Sequence, residues 1–100
     1  MHTRYYGQLL ERKPSGAIDY ALATDSQVHL DNRLSLKHMC DCIESRIDTL
    51  NDCLGRRYIG YKLMRGGITI AEVHRIDGVY TDHISATYIV TNSKGVNYGE

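Results

Sequence analysis

The residues best equipped for chemistry begin with three thiols and a nearby imidazole. Cys40, Cys42 and Cys53 are the cysteines, and His38 lies four residues before Cys42. A His-x-x-x-Cys pair on one helix face supplies half a zinc site, or a thiol with a base beside it. Neither chemistry is completed here. Residues two apart on a helix point in nearly opposite directions, so Cys40 and Cys42 cannot clasp one ion. Cys53 lies about three turns further on. Asp41 and Glu44 flank Cys42 and oppose a thiolate. Cys40 is expected in the core, with Cys42 and Cys53 as flank thiols. Neither a metal nor a cofactor is expected.

A second group is Glu72, His74 and His83. Strand alternation and a hairpin bring the three to one sheet face. A carboxylate beside two imidazoles can serve as general acid/base, or hold a metal or small molecule. The plainer reading is a solvated cross-strand patch. Arg65-Gly66-Gly67 lacks the spacing of a phosphate-binding loop. No catalytic constellation emerges, and the chain is not expected to be an enzyme.

Two charged groups remain. Asp41, Glu44, Asp48 and Asp52 recur at i, i+3, i+7 and i+11. On a helix they form one acidic ridge about 16 Å long at 1.5 Å per residue, expected to point directly away from the apolar stripe. Arg56, Arg57, Lys62 and Arg65 make a basic segment with Tyr58 and Tyr61 interleaved, a pairing suited to phosphate contact and base stacking. Eight tyrosines with no Phe or Trp is an unusual aromatic set. Tyrosine gives rigid contact area with a polar tip, as binding surfaces often do.

The elements that must position these groups are readable from periodicity. Leu36, Met39, Cys40, Ile43, Ile47, Leu50 and Leu54 recur at steps of three and four, predicting one helix between an N-cap at Ser35 and a left-handed Gly55. Leu34 and Met39 fit a hydrophobic staple. Thr3 to Arg12 reads as a strand with a bulge at Gly7. A Lys13-Pro14-Ser15-Gly16 turn follows, then Ala17 to Thr24 as a strand, with a short helix as the alternative. Val28 to Arg33 extends a strand or leads into the helix. After the helix, Arg57 to Met64 is a strand with Ile59, Tyr61 and Leu63 on one side, and Ile68 to Ile76 is another. Asp77-Gly78 predicts a type I′ hairpin leading into Val79 to Thr91, and residues 92–100 are expected to fray. The hairpin register pairs Ile76 with Val79, His74 with Thr81, Glu72 with His83 and Ala71 with Ile84. Tyr80, Ile84 and Ala86 then share the helix-covered face with Ala71 and Val73, while Ile70 and Ile76 flank the open one.

The expected fold is α+β, order ββαβββ: one domain over residues 1–100, with a single long amphipathic helix on one face of a mostly antiparallel four- to five-stranded sheet. Twelve basic and twelve acidic residues give a formal charge of zero. That balance argues against a bulk basic nucleic-acid binder and against a wholly acidic DNA mimic. No apolar run approaches the roughly 20 residues of a membrane span, and the N-terminus lacks a signal-peptide core. Three cysteines, an odd number, suit a reducing cytoplasm. The expected function is a small protein-binding module or inhibitor. Its acidic ridge (Asp41, Glu44, Asp48, Asp52) with Tyr58 and Tyr61 would meet a basic surface of a larger protein, such as a nucleic-acid-binding complex. Phage and mobile-element anti-restriction and anti-CRISPR inhibitors act in this way. The alternatives are a nucleic-acid-binding domain using Arg56, Arg57, Lys62 and Arg65, and a small-molecule or metal site on the Glu72/His74/His83 face. Ile70, Ile76, Val79 and Ile89 on an open face, or an exposed edge strand, would suit a homodimer.

Overall fold

In a computed structural model, residues 4–83 are described. The chain runs β1 (Tyr5–Arg12), β2 (Ile18–Tyr20), β3 (Gln27–His29), α1 (Leu36–Leu54), β4 (Tyr58–Arg65), β5 (Ile68–Ile76) and β6 (Val79–His83). The helix packs on an antiparallel sheet of order β2-β1-β4-β5-β6, with β3 also paired to β1. The fold is α+β, as periodicity predicts. The expectations for residues beyond 83, including Ile84, Ala86, Ile89 and the fraying of 92–100, lie outside the described residues.

Helix α1 starts and stops where its end residues dictate. The Ser35 hydroxyl accepts a hydrogen bond from the His38 N–H, and Gly55 adopts φ 66° and donates to the Leu50 carbonyl. A left-handed turn of that kind costs a residue with a Cβ about 1–2 kcal/mol. Met39, Ile43, Ile47 and Leu50 are buried along the helix. Each such side chain contributes on the order of 1.5–3 kcal/mol by leaving water. The stripe ends early, since Leu54 is 61% exposed. Leu9, Tyr58, Tyr61, Leu63, Ala71 and Val73 complete the core from the sheet.

Gly7 is not a bulge. It pairs regularly with Val28 on one side and Leu63 on the other. Its role is clearance, because a Cβ there would stand 2.6 Å from Ile43 Cδ1. Glycine lets the helix approach the sheet at its centre. The register shifts lie elsewhere, between Leu10 and Glu11 and between Leu63 and Met64. The first puts Tyr58 opposite Glu11 and into the core, where Ile59 was expected. The second lets Ile70 pack against the helix side, so it does not flank the open face.

The region before the helix is a strand broken in two. β2 covers only Ile18–Tyr20, and β3 pairs with the N-terminal half of β1 along the same edge. Between them the chain leaves the sheet. The Leu9 carbonyl accepts from Ala21 N–H while Leu9 N–H donates to Ser26, holding both ends of the excursion. Gln8 lies beneath it and donates from Nε2 to the Leu9 and Ser26 carbonyls. The hairpin at Asp77-Gly78 has φ 53° and 80°, and it sets Ile76 against Val79, His74 against Thr81 and Glu72 against His83, as expected.

Candidate functional site

The acidic ridge is built differently from a free helix face. At about 100° per residue, Glu44 follows the fully buried Ile43 directly, so it lies on the flank of the stripe and not opposite it. The sheet reaches up to that flank. Tyr61 donates its hydroxyl to Glu44 Oε2 at 2.6 Å. One turn on, Tyr80 donates to Asp48 Oδ1 at 2.8 Å and lies 3.2 Å from the Glu44 carbonyl. The two phenol rings are 6.4 Å apart and tilted by 56°. Arg75 Nε lies 3.4 Å from Asp48 Oδ1, an ion-pair distance without hydrogen-bond alignment. Its guanidinium also stands over the Tyr80 ring.

Burial dominates the acidity of these phenols. It pushes Tyr61 well above the ordinary tyrosine range, with Cys40 and Glu44 adding to the shift. Burial, followed by the Asp48 carboxylate, likewise raises Tyr80. Both hydroxyls therefore remain donors at neutral pH, and each holds a carboxylate in place.

The outer two members of the ridge remain exposed. Asp41 is exposed and makes an i, i+4 ion pair with Lys37 at 3.1 Å, and Asp52 is exposed near the helix C-terminus. The expectation that Tyr58 and Tyr61 meet a partner is corrected. They are 2% and 0% exposed, because the register shift and strand alternation turn both into the core.

Tyr58 instead belongs to a clamp. Its hydroxyl donates to Asp25 Oδ1, and Arg56 Nε donates to Asp25 Oδ2 at 2.8 Å. Those bonds, the Tyr58 hydroxyl first, hold the Asp25 carboxyl below its usual range. Asn51 pairs with both backbone polar groups of Tyr58 at 3.0 Å. The clamp thus ties the excursion between β2 and β3 to the end of the helix.

The basic segment does not form one surface. Arg56 is committed to Asp25, and Arg57 is exposed beyond the helix. Lys62 lies over the Tyr20 ring, 4.9 Å from its centroid, and 3.9 Å from Glu72 Oε1. Arg65, at the far end of β4, covers the Tyr5 ring at 5.6 Å.

On the open face, Glu72 Oε2 lies 2.7 Å from His74 Nε2. His74 leans over Gly60, where a Cβ would come within 3.3 Å of its ring. The backbone register brings His83 opposite Glu72. Among the described residues, no three of His, Cys, Asp and Glu converge as a metal site. His38 and Cys42 line an open groove of about 560 Å³ between α1 and the chain leading into it, opposite the tyrosine-bonded flank.

Sequence reasoning missed Tyr80, Arg75 and Asp25 as partners of these charges. The hairpin register places Tyr80 on the helix-covered face, and a phenol there must find an acceptor. That signal was legible, whereas the identity of the acceptor depends on how the helix crosses the sheet.

Among the described residues, no helix is long and apolar enough to cross a membrane. No known protein family matches the chain, and no curated protein or solved structure shows significant similarity to it.

Proposed function

We propose that the chain is a protein-binding module that presents the outer acidic side of α1 to a basic surface of a larger protein. The observation that carries this reading is the anchoring of the ridge: Glu44 and Asp48 are bonded by Tyr61 and Tyr80. Asp41 and Asp52 stand exposed at either end. Carboxylates held in place before binding lose less freedom on association, which favours affinity. A one-sign ridge speeds encounter with a complementary surface and sets register.

Helix electrostatics add to the case. Asp52 lies near the C-terminus of α1, whose last turn carries no basic residue. A carboxylate there opposes the helix dipole at a cost of about 0.3–1 kcal/mol. An acid kept where it weakens the fold is the pattern expected of a binding residue. A basic surface that otherwise holds nucleic acid would be blocked by such a module, which would then act as an inhibitor of the anti-restriction or anti-CRISPR type. Three cysteines outside any disulfide suit a cytoplasmic setting for this encounter.

Affinity capture from source-cell lysate, followed by mass spectrometry, tests the reading. The wild-type chain is expected to retain a specific protein that Asp41→Lys/Asp52→Lys loses. Equal retention by both would contradict the proposal.

A further inference from the structure

We infer that the end of the open sheet face where β1 begins is a binding surface for single-stranded nucleic acid. Of the Arg56–Arg65 segment it uses only Lys62, and it is independent of the acidic-ridge reading. Tyr6 and His29 pair across β1 and β3 on the open face, with ring centroids 6.4 Å apart. His29 is exposed and Tyr6 half-buried, its hydroxyl donating to the Gly66 carbonyl at 3.3 Å. Four residues along β1, Leu10 pairs with Tyr20 on the same face, and that offset is about 13 Å along a strand. Tyr20 is 43% exposed and carries the Lys62 ammonium against its ring. These are two aromatic platforms on one sheet face, one of them next to a cation.

A cation lies near each platform, Lys62 at Tyr20 and Arg4 at the Tyr6 end. Arg4 is exposed, and its carbonyl accepts from the Gly66 N–H, so it lies at the Tyr6 end of the sheet; Arg65 covers Tyr5 on the helix side and takes no part. Arg4 makes no ion pair among the described residues. The nearby acids are compensated: Asp31 is held by Arg33 at 2.8 Å, and Glu72 lies between Lys62 and His74. Aromatic faces with adjacent cations are the arrangement that stacks unpaired bases and neutralises the phosphates between them. A duplex keeps its bases stacked inside and cannot use the platforms, so the surface selects single strands.

Fluorescence anisotropy with a labelled oligothymidylate of about 20 nucleotides, long enough to cover one site, tests the inference in low salt. Binding is expected at micromolar concentrations, weaker for the matching duplex. Two phosphate contacts give a slope of log Kobs against log[salt] of about −1.4, and Arg4→Gln should reduce it by about 0.7. Tyr20→Leu, at an exposed position, should weaken binding roughly tenfold or more with an unchanged circular dichroism spectrum. Asp41→Lys/Asp52→Lys should still bind, because the ridge lies on the helix, across the sheet from this face. Absence of binding at tens of micromolar protein, or binding unaffected by both Tyr20→Leu and Arg4→Gln, would overturn the inference.

Discussion

Tyr61 donates its phenol to the carboxylate of Glu44 at 2.6 Å, joining the centre of the sheet to the flank of the helix. Tyr61 is fully buried, so Tyr61→Phe preserves packing while removing the donor. Leaving a half-buried carboxylate without it should cost about 1.5–3 kcal/mol. Urea unfolding should show a lower midpoint with an unchanged m value. Combined with Glu44→Gln, the loss should fall short of the sum of the two single variants. Additive losses would mean that the bond contributes nothing.

The clearance at Gly7 gives a second prediction. Gly7→Ala pushes a methyl against Ile43, which is itself fully buried. Overpacking of this kind costs about 1–3 kcal/mol. Ile43→Val removes the atom of closest approach and should recover part of that loss. A Gly7→Ala variant as stable as wild type would show that the helix can shift at no cost.

Those two residues mark what local sequence can and cannot reveal. Ser35, Gly55 and Asp77-Gly78 were legible because caps and tight turns are decided by their own backbone chemistry. The helix stripe and hairpin register followed from periodicity. Gly7 was misread because its reason is a neighbour 36 positions away, Ile43. Tyr58 and Ile70 were misplaced because each lies beside a register shift, and a shift of one residue exchanges the faces of a strand. β3 was ambiguous because a three-residue strand has too few positions to alternate. The ridge was half legible. Its spacing was plain, but its tilt toward Tyr61 and Tyr80 depends on how the helix lies across the sheet.

The clamp at Asp25 predicts behaviour at both ends of the pH scale. Its folded pKa lies below its ordinary value of 3.8. An unfolded chain therefore binds the proton more readily, and the stabilisation present at neutral pH is lost as pH falls below that value through the folded one. Tyr58, Tyr61 and Tyr80 are shifted the opposite way, above their ordinary 10.0. Their contribution is complete below that value and fades as pH rises through it toward the folded pKa values. Thermal unfolding should show a plateau near neutrality and a fall on each side. Tyr58→Phe should flatten both limbs, since it removes one alkaline titration and the main support of Asp25. Limbs identical to wild type would contradict the clamp.

The helix start allows a simpler check. Ser35→Ala removes the acceptor for the His38 N–H and should cost about 1 kcal/mol. Ser35→Asp should restore most of it. Equal midpoints for all three proteins would show that the cap is not used.

Asp52 separates folding from binding most directly. Asp52→Lys replaces an anion at the negative end of the helix dipole with a cation, so it should stabilise the fold by about 0.3–1 kcal/mol. The same change removes one end of the acidic ridge. The decisive measurement is the dissociation constant of the captured partner for wild type and Asp52→Lys, alongside their unfolding midpoints. The account predicts a variant that is at least as stable as wild type yet binds at least tenfold more weakly, about 1.4 kcal/mol. A stable variant with undiminished affinity would contradict it.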